Sequence, residues 1–252
     1  QLKTGESYYY LGRKHMKLAG AETKPEAKEE LQKLAREELA TGQRILDDLV
    51  RAYPENAKID QAAYLLGSLV QEQQRYDEAI DIYRRIAANW PESPVAPNAQ
   101  YHIGMCYEKK GDFDTACDEY VRLAYKYPDN TLVGDAMIRI GLKFFDDKKF
   151  PQSVAVFQRF IEKYPMHGAI EEVWFKMGLA LIMDEKFRPA AEHFQSFIDK
   201  YPESKLKAAA LYWAGDSYMK ANDNQKAYQM FKRVVWDFPE SKWAKWARGK
   251  LT

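Results

Sequence analysis

Residues 90–128 read WPESPVAPNAQYHIGMCYEKKGDFDTACDEYVRLAYKYP, and this stretch decides the fold. It opens on Trp90-Pro91 and closes on Tyr127-Pro128, an aromatic-proline pair at each end, 37 residues apart. The same pair recurs at Tyr53-Pro54, Tyr164-Pro165, Tyr201-Pro202 and Phe238-Pro239, always at that interval. Six of the 11 prolines obey this one spacing, so the chain is built from stacked supersecondary units.

Aligning on the prolines exposes more columns. A glycine recurs at Gly67, Gly104, Gly141, Gly178 and Gly215, and twelve residues on comes a small residue: Ala79, Ala116, Ser153, Ala190, Ala227. Four further lies an aromatic, at Tyr83, Tyr120, Phe157, Phe194 and Phe231. Turn-forming stretches such as Lys110-Gly111-Asp112 and Ala221-Asn222-Asp223 sit between. The pattern predicts two antiparallel helices per repeat, brought close by the glycine and small columns. Glycine inside a helix costs about 1 kcal/mol against alanine, so its return at five equivalent places implies a packing reason. Two residues after each proline stand Asn56, Ser93, Asn130, His167, Ser204 and Ser241, five of them good N-caps for the next helix. Ser93-Pro94 adds a proline expected at the first helical position.

These columns resemble the tetratricopeptide repeat, with three residues more than its usual 34. The Tyr-Pro-(Glu/Asp)-(Ser/Asn) junction and the 37-residue period are similar to the repeats of bacterial cell-envelope families, those of the Tol-Pal-associated YbgF (CpoB) proteins and the BamD-like lipoproteins. The fold expected is all-α: a tetratricopeptide superhelix of about six helix hairpins with a C-terminal capping helix. The divisions expected are 1–53, a divergent first hairpin with an extended second helix; 54–238, five regular units; and 239–252, the cap.

Residues 1–53 depart from the period. Gly12 and Gly42 are 30 apart where the repeat allows 12, an excess of 18 residues. Pro25 to Ala52 reads as one long helix with an apolar stripe including Leu31, Leu34 and Leu39, which would overhang the regular repeats. That stripe requires cover from a lengthened first helix, from sequence further upstream, or from a docking or dimerisation partner. At the other end, Trp236, Trp243 and Trp246 belong either to the cap or to a contact site.

The resemblance implies a ligand groove lined by first helices. Offsets three before and one, four and five after each glycine should face it. They carry Tyr64, Tyr101, Ile138, Phe175 and Tyr212 in the first of these columns, then Leu142 and Phe145, and Leu179, Ile182 and Met183. The middle repeats thus turn apolar where earlier ones are polar or mixed, with Ser68, Gln71 and Glu72, then Met105, Glu108 and Lys109. Two roles stay open for these side chains, binding a partner's apolar anchors or packing between adjacent first helices. The Lys and Asn positions of a carboxylate-clamping groove are here mostly aromatic or aliphatic.

Composition narrows the partners. Lys+Arg 38 against Asp+Glu 37 gives no basic field, which argues against nucleic acid. No apolar run reaches the roughly 18–20 residues that span a bilayer, so direct membrane insertion is not expected of this segment. The four histidines are scattered without metal spacing, no phosphate loop is present, and the acidic pairs read as solvated helix faces. Neither metal, cofactor nor catalysis is expected. Cys106 and Cys117 fall on different helices of one repeat, offset so that a disulfide is not expected. The function expected is a scaffold for a protein or peptide partner, periplasmic or outer-membrane-associated by resemblance. The alternatives are an accessory module of a larger enzyme or membrane-anchored protein, and self-assembly through the N-terminal helix or the tryptophan cluster.

Overall fold

The computed structural model describes residues 1–251, and among them every regular element is helical. By internal contacts the chain divides into two compact units, Gln1–Val133 and Gly134–Thr252. In the first unit α1 (Leu2–Ala21) and α2 (Pro25–Ala52) form a long hairpin. Two shorter hairpins follow, α3 (Ile59–Glu72) with α4 (Tyr76–Asn89), and α5 (Ala96–Lys109) with α6 (Phe113–Lys126). Helix α7 (Leu132–Asp146) begins at the division. The second unit continues with α8 (Phe150–Lys163), α9 (Ile170–Met183), α10 (Phe187–Lys200), α11 (Lys207–Lys220), α12 (Asn224–Asp237) and α13 (Lys242–Leu251).

The recurring glycine is a notch for the recurring aromatic. A Cβ added at Gly104 would lie 2.5 Å from the Tyr120 ring, and one at Gly178 2.5 Å from Phe194. Gly67, Gly141 and Gly215 face Tyr83, Phe157 and Phe231 in the same way, and all five rings are fully buried. In one case the small column adds a bond: Ser153 Oγ donates to the Gly141 carbonyl at 2.8 Å.

The aromatic-proline pair closes each second helix. Tyr127, for example, leaves helical geometry at φ −131°, ψ 59° while its N–H still bonds Leu123 O. A residue before proline is pushed out of the α region, which is why the helix stops there. The residue two past each proline accepts a bond as its type suggests, but mostly from the wrong place for a helix cap. Asn56, Ser93, Asn130 and Ser204 accept from the N–H two residues on, and His167 Nδ1 does the same. Their carbonyls accept from the third residue on, so each builds a tight turn and the helix starts after it. Pro94 therefore lies in the turn whose ends are bonded from Ala96 N to Ser93 O, and not at the first helical position. Ser241 alone acts as expected, accepting from Ala244 N ahead of α13.

Between the two helices of each regular hairpin, one residue adopts positive φ: Gln74, Gly111, Lys148, Glu185 and Asn222. The next residue's N–H bonds back five residues, as from Arg75 to Val70 O and Lys186 to Leu181 O. This closes every first helix with the same left-handed cap, though only one of the five is glycine.

The first hairpin corrects the register read from sequence. The notch glycine there is Gly5, where a Cβ would meet Leu46 Cγ at 2.7 Å, and Leu46 occupies the aromatic column. Gly12 sits seven residues on and packs against Leu39 and Ala35. Seven residues are nearly two turns, so both glycines present the same face and the sequence could not tell them apart. The excess is therefore larger than 18 and divides between both helices: α1 runs 11 residues further past its notch than α3 does, and α2 starts 14 residues earlier than α4. The overhang of about 16–21 Å is a self-paired hairpin, in which Leu39 and Ala35 are buried and His15 Nδ1 meets Glu38 at 2.7 Å.

Candidate protein-binding face

Within each unit the offsets around the notch glycine put definite side chains on one face of the first helices. The aromatics three before the glycine brace the notch: Tyr64 meets Tyr83, Tyr101 meets Tyr120, Phe175 meets Phe194 and Tyr212 meets Phe231, with ring centroids 5.4 to 5.9 Å apart. Such pairs add about 0.5–1.5 kcal/mol beyond area burial, so this column serves stability first. Ile138, the aliphatic member, packs half-buried on the core of the second unit.

In the first unit the face is a hydrogen-bonded network. Gln71 Oε1 accepts from Tyr83 OH at 3.0 Å and lies 2.9 Å from His102 Nδ1, while His102 Nε2 is 3.1 Å from Tyr64 OH. Tyr83 OH also reaches Ser68 Oγ at 3.2 Å. Burial pushes the Tyr83 phenol far above its ordinary range, so it stays protonated and donates.

The second unit has apolar groups at the same offsets. Leu142, Phe145 and Leu179 are half-buried, and Met183 is 54% exposed. Phe145 packs edge-on against Phe150, and the Lys176 ammonium lies 5.4 Å from its ring centroid, joining α7 to α9. Ile182 and Tyr212 are buried, which makes them floor to this face instead of contact groups. Behind it Trp174 stacks on His193, whose Nε2 lies 2.7 Å from the Trp174 carbonyl. Burial holds that imidazole below its usual pKa, with the carbonyl bond opposing.

At the two ends, the expected contact residues separate by role. On α2, Leu31 is half-buried, Leu34 is 40% exposed and Leu39 lies inside the hairpin. On α13, Ala244 and Ala247 are buried and Trp243 packs on Tyr212 and Trp213, which covers α11. Trp246 remains 48% and Trp236 82% exposed. Cys106 is buried and its thiol is pushed up to about 12; Cys117 is half-buried, and the two are not bonded. Among the described residues no cluster of His, Cys, Asp or Glu could hold a metal ion, and no helix is long and apolar enough to cross a membrane.

Comparison with known proteins agrees with this architecture. The model of the YfiO family, described as outer membrane lipoprotein, matches residues 95–252, and a tetratricopeptide-repeat model matches 32–94. No curated protein sequence matches the chain. Among solved structures, YrrB, described as a tetratricopeptide protein with an unusual peptide-binding site, has 20% identity and a TM-score of 0.57, over 79% of this chain and 97% of its own. BtubC from P. vanneervenii has 14% identity and a TM-score of 0.55, over 81% and 91%. MamA from Desulfovibrio magneticus RS-1 has 18% identity and a TM-score of 0.52, over 71% and 94%. At these identities the likeness is one of fold. With a family model covering well over half of its residues, the chain belongs to the YfiO outer membrane lipoprotein family and is built of tetratricopeptide repeats.

Proposed function

We propose that this chain is a non-enzymatic protein-binding scaffold of a bacterial cell envelope. It takes a peptide or protein partner on the first-helix face of its second unit. The observation that carries the reading is the half-exposed apolar group Leu142, Phe145, Leu179 and Met183, at offsets where the first unit holds a satisfied polar network. Apolar side chains left in water on a face already braced from behind gain by receiving a partner's apolar anchors. The family's description as outer membrane lipoproteins supports a place at the outer membrane, and YrrB's peptide-binding site supports a peptide ligand.

The test is photo-crosslinking in cells from positions 145, 179 and 183, with position 172 on the same helix as control. A discrete protein adduct is expected at the first three, and the Met183→Asp variant should weaken it about tenfold, or about 1.4 kcal/mol. Equal adducts at all four positions, with helical circular dichroism intact, would sink the reading.

Self-assembly is a second reading, favoured by the exposed Tyr10, Leu11, Leu18 and Leu34 on the overhanging hairpin. Light scattering of the intact chain and of a Leu18→Glu/Leu34→Glu variant separates the two. A dimer mass that the variant loses favours assembly; a monomer in both cases rejects it.

A further inference from the structure

Behind α3, on the side away from its own polar face, the first unit contains a crevice of about 510 Å³ between α2 and α4. Its floor is apolar, made by Val50, Ile59, Ala63, Leu66 and Ile82. Ile59, Ala63, Leu66 and Ile82 are buried at the bottom of the crevice, and Val50 is half-buried at its side. Its rim holds three arginines and two acids. Arg51 pairs with Asp47 at 2.8 Å and Arg75 pairs with Glu78, which leaves Arg85 over. Arg85 Nε donates a long bond, 3.4 Å, to the carbonyl of Asp81 on its own helix.

The next hairpin shows how the chain fills the same place when it fills it itself. Thirty-seven residues on from Ala63, Ile82 and Arg85 stand Gln100, Glu119 and Arg122. Gln100 Nε2 donates to Glu119 Oε2 at 2.7 Å, and both side chains are buried. The Glu119 carboxylate is flanked by Arg122 and Arg84, each at 3.6 Å. The plug is thus an acid held by an arginine at the position of Arg85. In the second unit the equivalent pairs are Met137 with Val156, Trp174 with His193, and Leu211 with Met230; the first is half-buried, the second stacks ring on ring, and both members of the third are buried. At the first step the pair is Ala63 with Ile82, which supplies neither the bulk nor the carboxylate.

We infer that this crevice is a second protein-docking site, separate from the face on the second unit. It receives a segment of a partner protein carrying an acidic side chain beside a leucine-sized one. The carboxylate takes the place that Glu119 holds one repeat later, on Arg85, and the apolar neighbour enters the crevice beside the half-buried Val50 and Trp90. An arginine bordered by apolar surface offers a charge-assisted bond stronger than one in open water. The two neighbouring ion pairs contribute no net charge to the rim, so a basic segment would meet only repulsion.

The experiment is selection of a displayed library of random twelve-residue peptides, fused at the C-terminus so that no free terminal carboxylate is present. The intact chain is the target, and an Ala63→Gln/Ile82→Glu variant, which installs the plug of the next repeat, serves for depletion. Enriched peptides are expected to share Asp or Glu within a few residues of Leu, Ile or Phe. As amidated synthetic peptides in fluorescence anisotropy they should lose at least about tenfold in affinity on Arg85→Glu, or about 1.4 kcal/mol. Replacing the peptide's acid with Lys should restore affinity on that variant, and Met183→Asp should leave binding unchanged. Arg85 is exposed, so its substitution reports on binding even if the plugged variant does not fold. Absence of enrichment overturns the site, as does enrichment of peptides without an acid or equal binding to Arg85→Glu. Binding that requires a free C-terminus overturns the side-chain carboxylate.

Discussion

The two units meet the same packing problem at the same offsets with opposite chemistry. Around Gly67 and Gly104 the first-helix face is closed by Tyr64, Gln71, Tyr83 and His102, each hydrogen-bonded to another. Around Gly141 and Gly178 it carries Leu142, Phe145, Leu179 and Met183, which have only partial cover. The notch beneath is the same in both, a glycine under a buried ring. What holds the hairpin is therefore independent of what the hairpin displays. The display is free to differ, and it differs most where a partner is proposed.

The largest effects should be those that both units share. Truncating the notch ring by Tyr83→Ala in the first unit or Phe194→Ala in the second should each cost about 3–5 kcal/mol, read by urea unfolding. A cost confined to one unit would break the claim of a common scaffold. A smaller effect should separate the units. Gln71→Leu strips partners from Tyr83 and His102 and should cost about 1–3 kcal/mol. At the equivalent place in the second unit, Ile182→Val should cost only about 0.5–1.5 kcal/mol. Equal costs would mean that the polar network stabilises no more than apolar packing does.

The smallest effect is one of pH in the second unit. The native His193 pKa is lowered by burial, so below the unfolded value of about 6.5 the unfolded chain binds more protons than the folded one. Stability supplied by this group is complete above about pH 6.5 and declines as pH falls from there through the lowered native pKa. Urea titrations at pH 7 and pH 5, followed by tryptophan fluorescence, should show that decline. In His193→Gln, which keeps a donor for the Trp174 carbonyl, the pH-dependent part should shrink. An unchanged pH response would assign it to other groups.

Repetition made some of this legible in the sequence and concealed the rest. Any column with one residue type announced itself: the junction aromatic and proline, the notch glycine, the ring sixteen residues later. The left-handed turns did so only at Gly111 and Asn222, because Gln74, Lys148 and Glu185 adopt the same backbone with no telltale side chain. In the first hairpin Gly12 masqueraded as the notch because Gly5 lies almost two full turns away. The junction caps had the right residue types, but a side chain bonding two residues on builds a turn before the helix, and type alone does not distinguish the two. The apolar offsets of the second unit stood out in the sequence as a set. Their division into floor (Ile182, Tyr212) and exposed edge (Met183) depends on neighbouring helices that no local pattern encodes. The crevice behind α3 was invisible for a related reason. Its plugging pairs share no residue type from repeat to repeat, so no column of the sequence marks them.

The junction has a practical corollary for altering the chain's length. Tyr164-Pro165 and Tyr201-Pro202 end their helices alike, with φ near −125° and an N–H bonded to the fourth residue back. Removing residues 165–201 would splice Tyr164 onto Pro202 and leave an intact aromatic-proline joint, with Phe157 and Gly215 now belonging to consecutive hairpins. Nearest-neighbour stacking then makes each 37-residue segment an exchangeable cassette. Binding surfaces could be shortened, duplicated or reordered without redesigning a single connection.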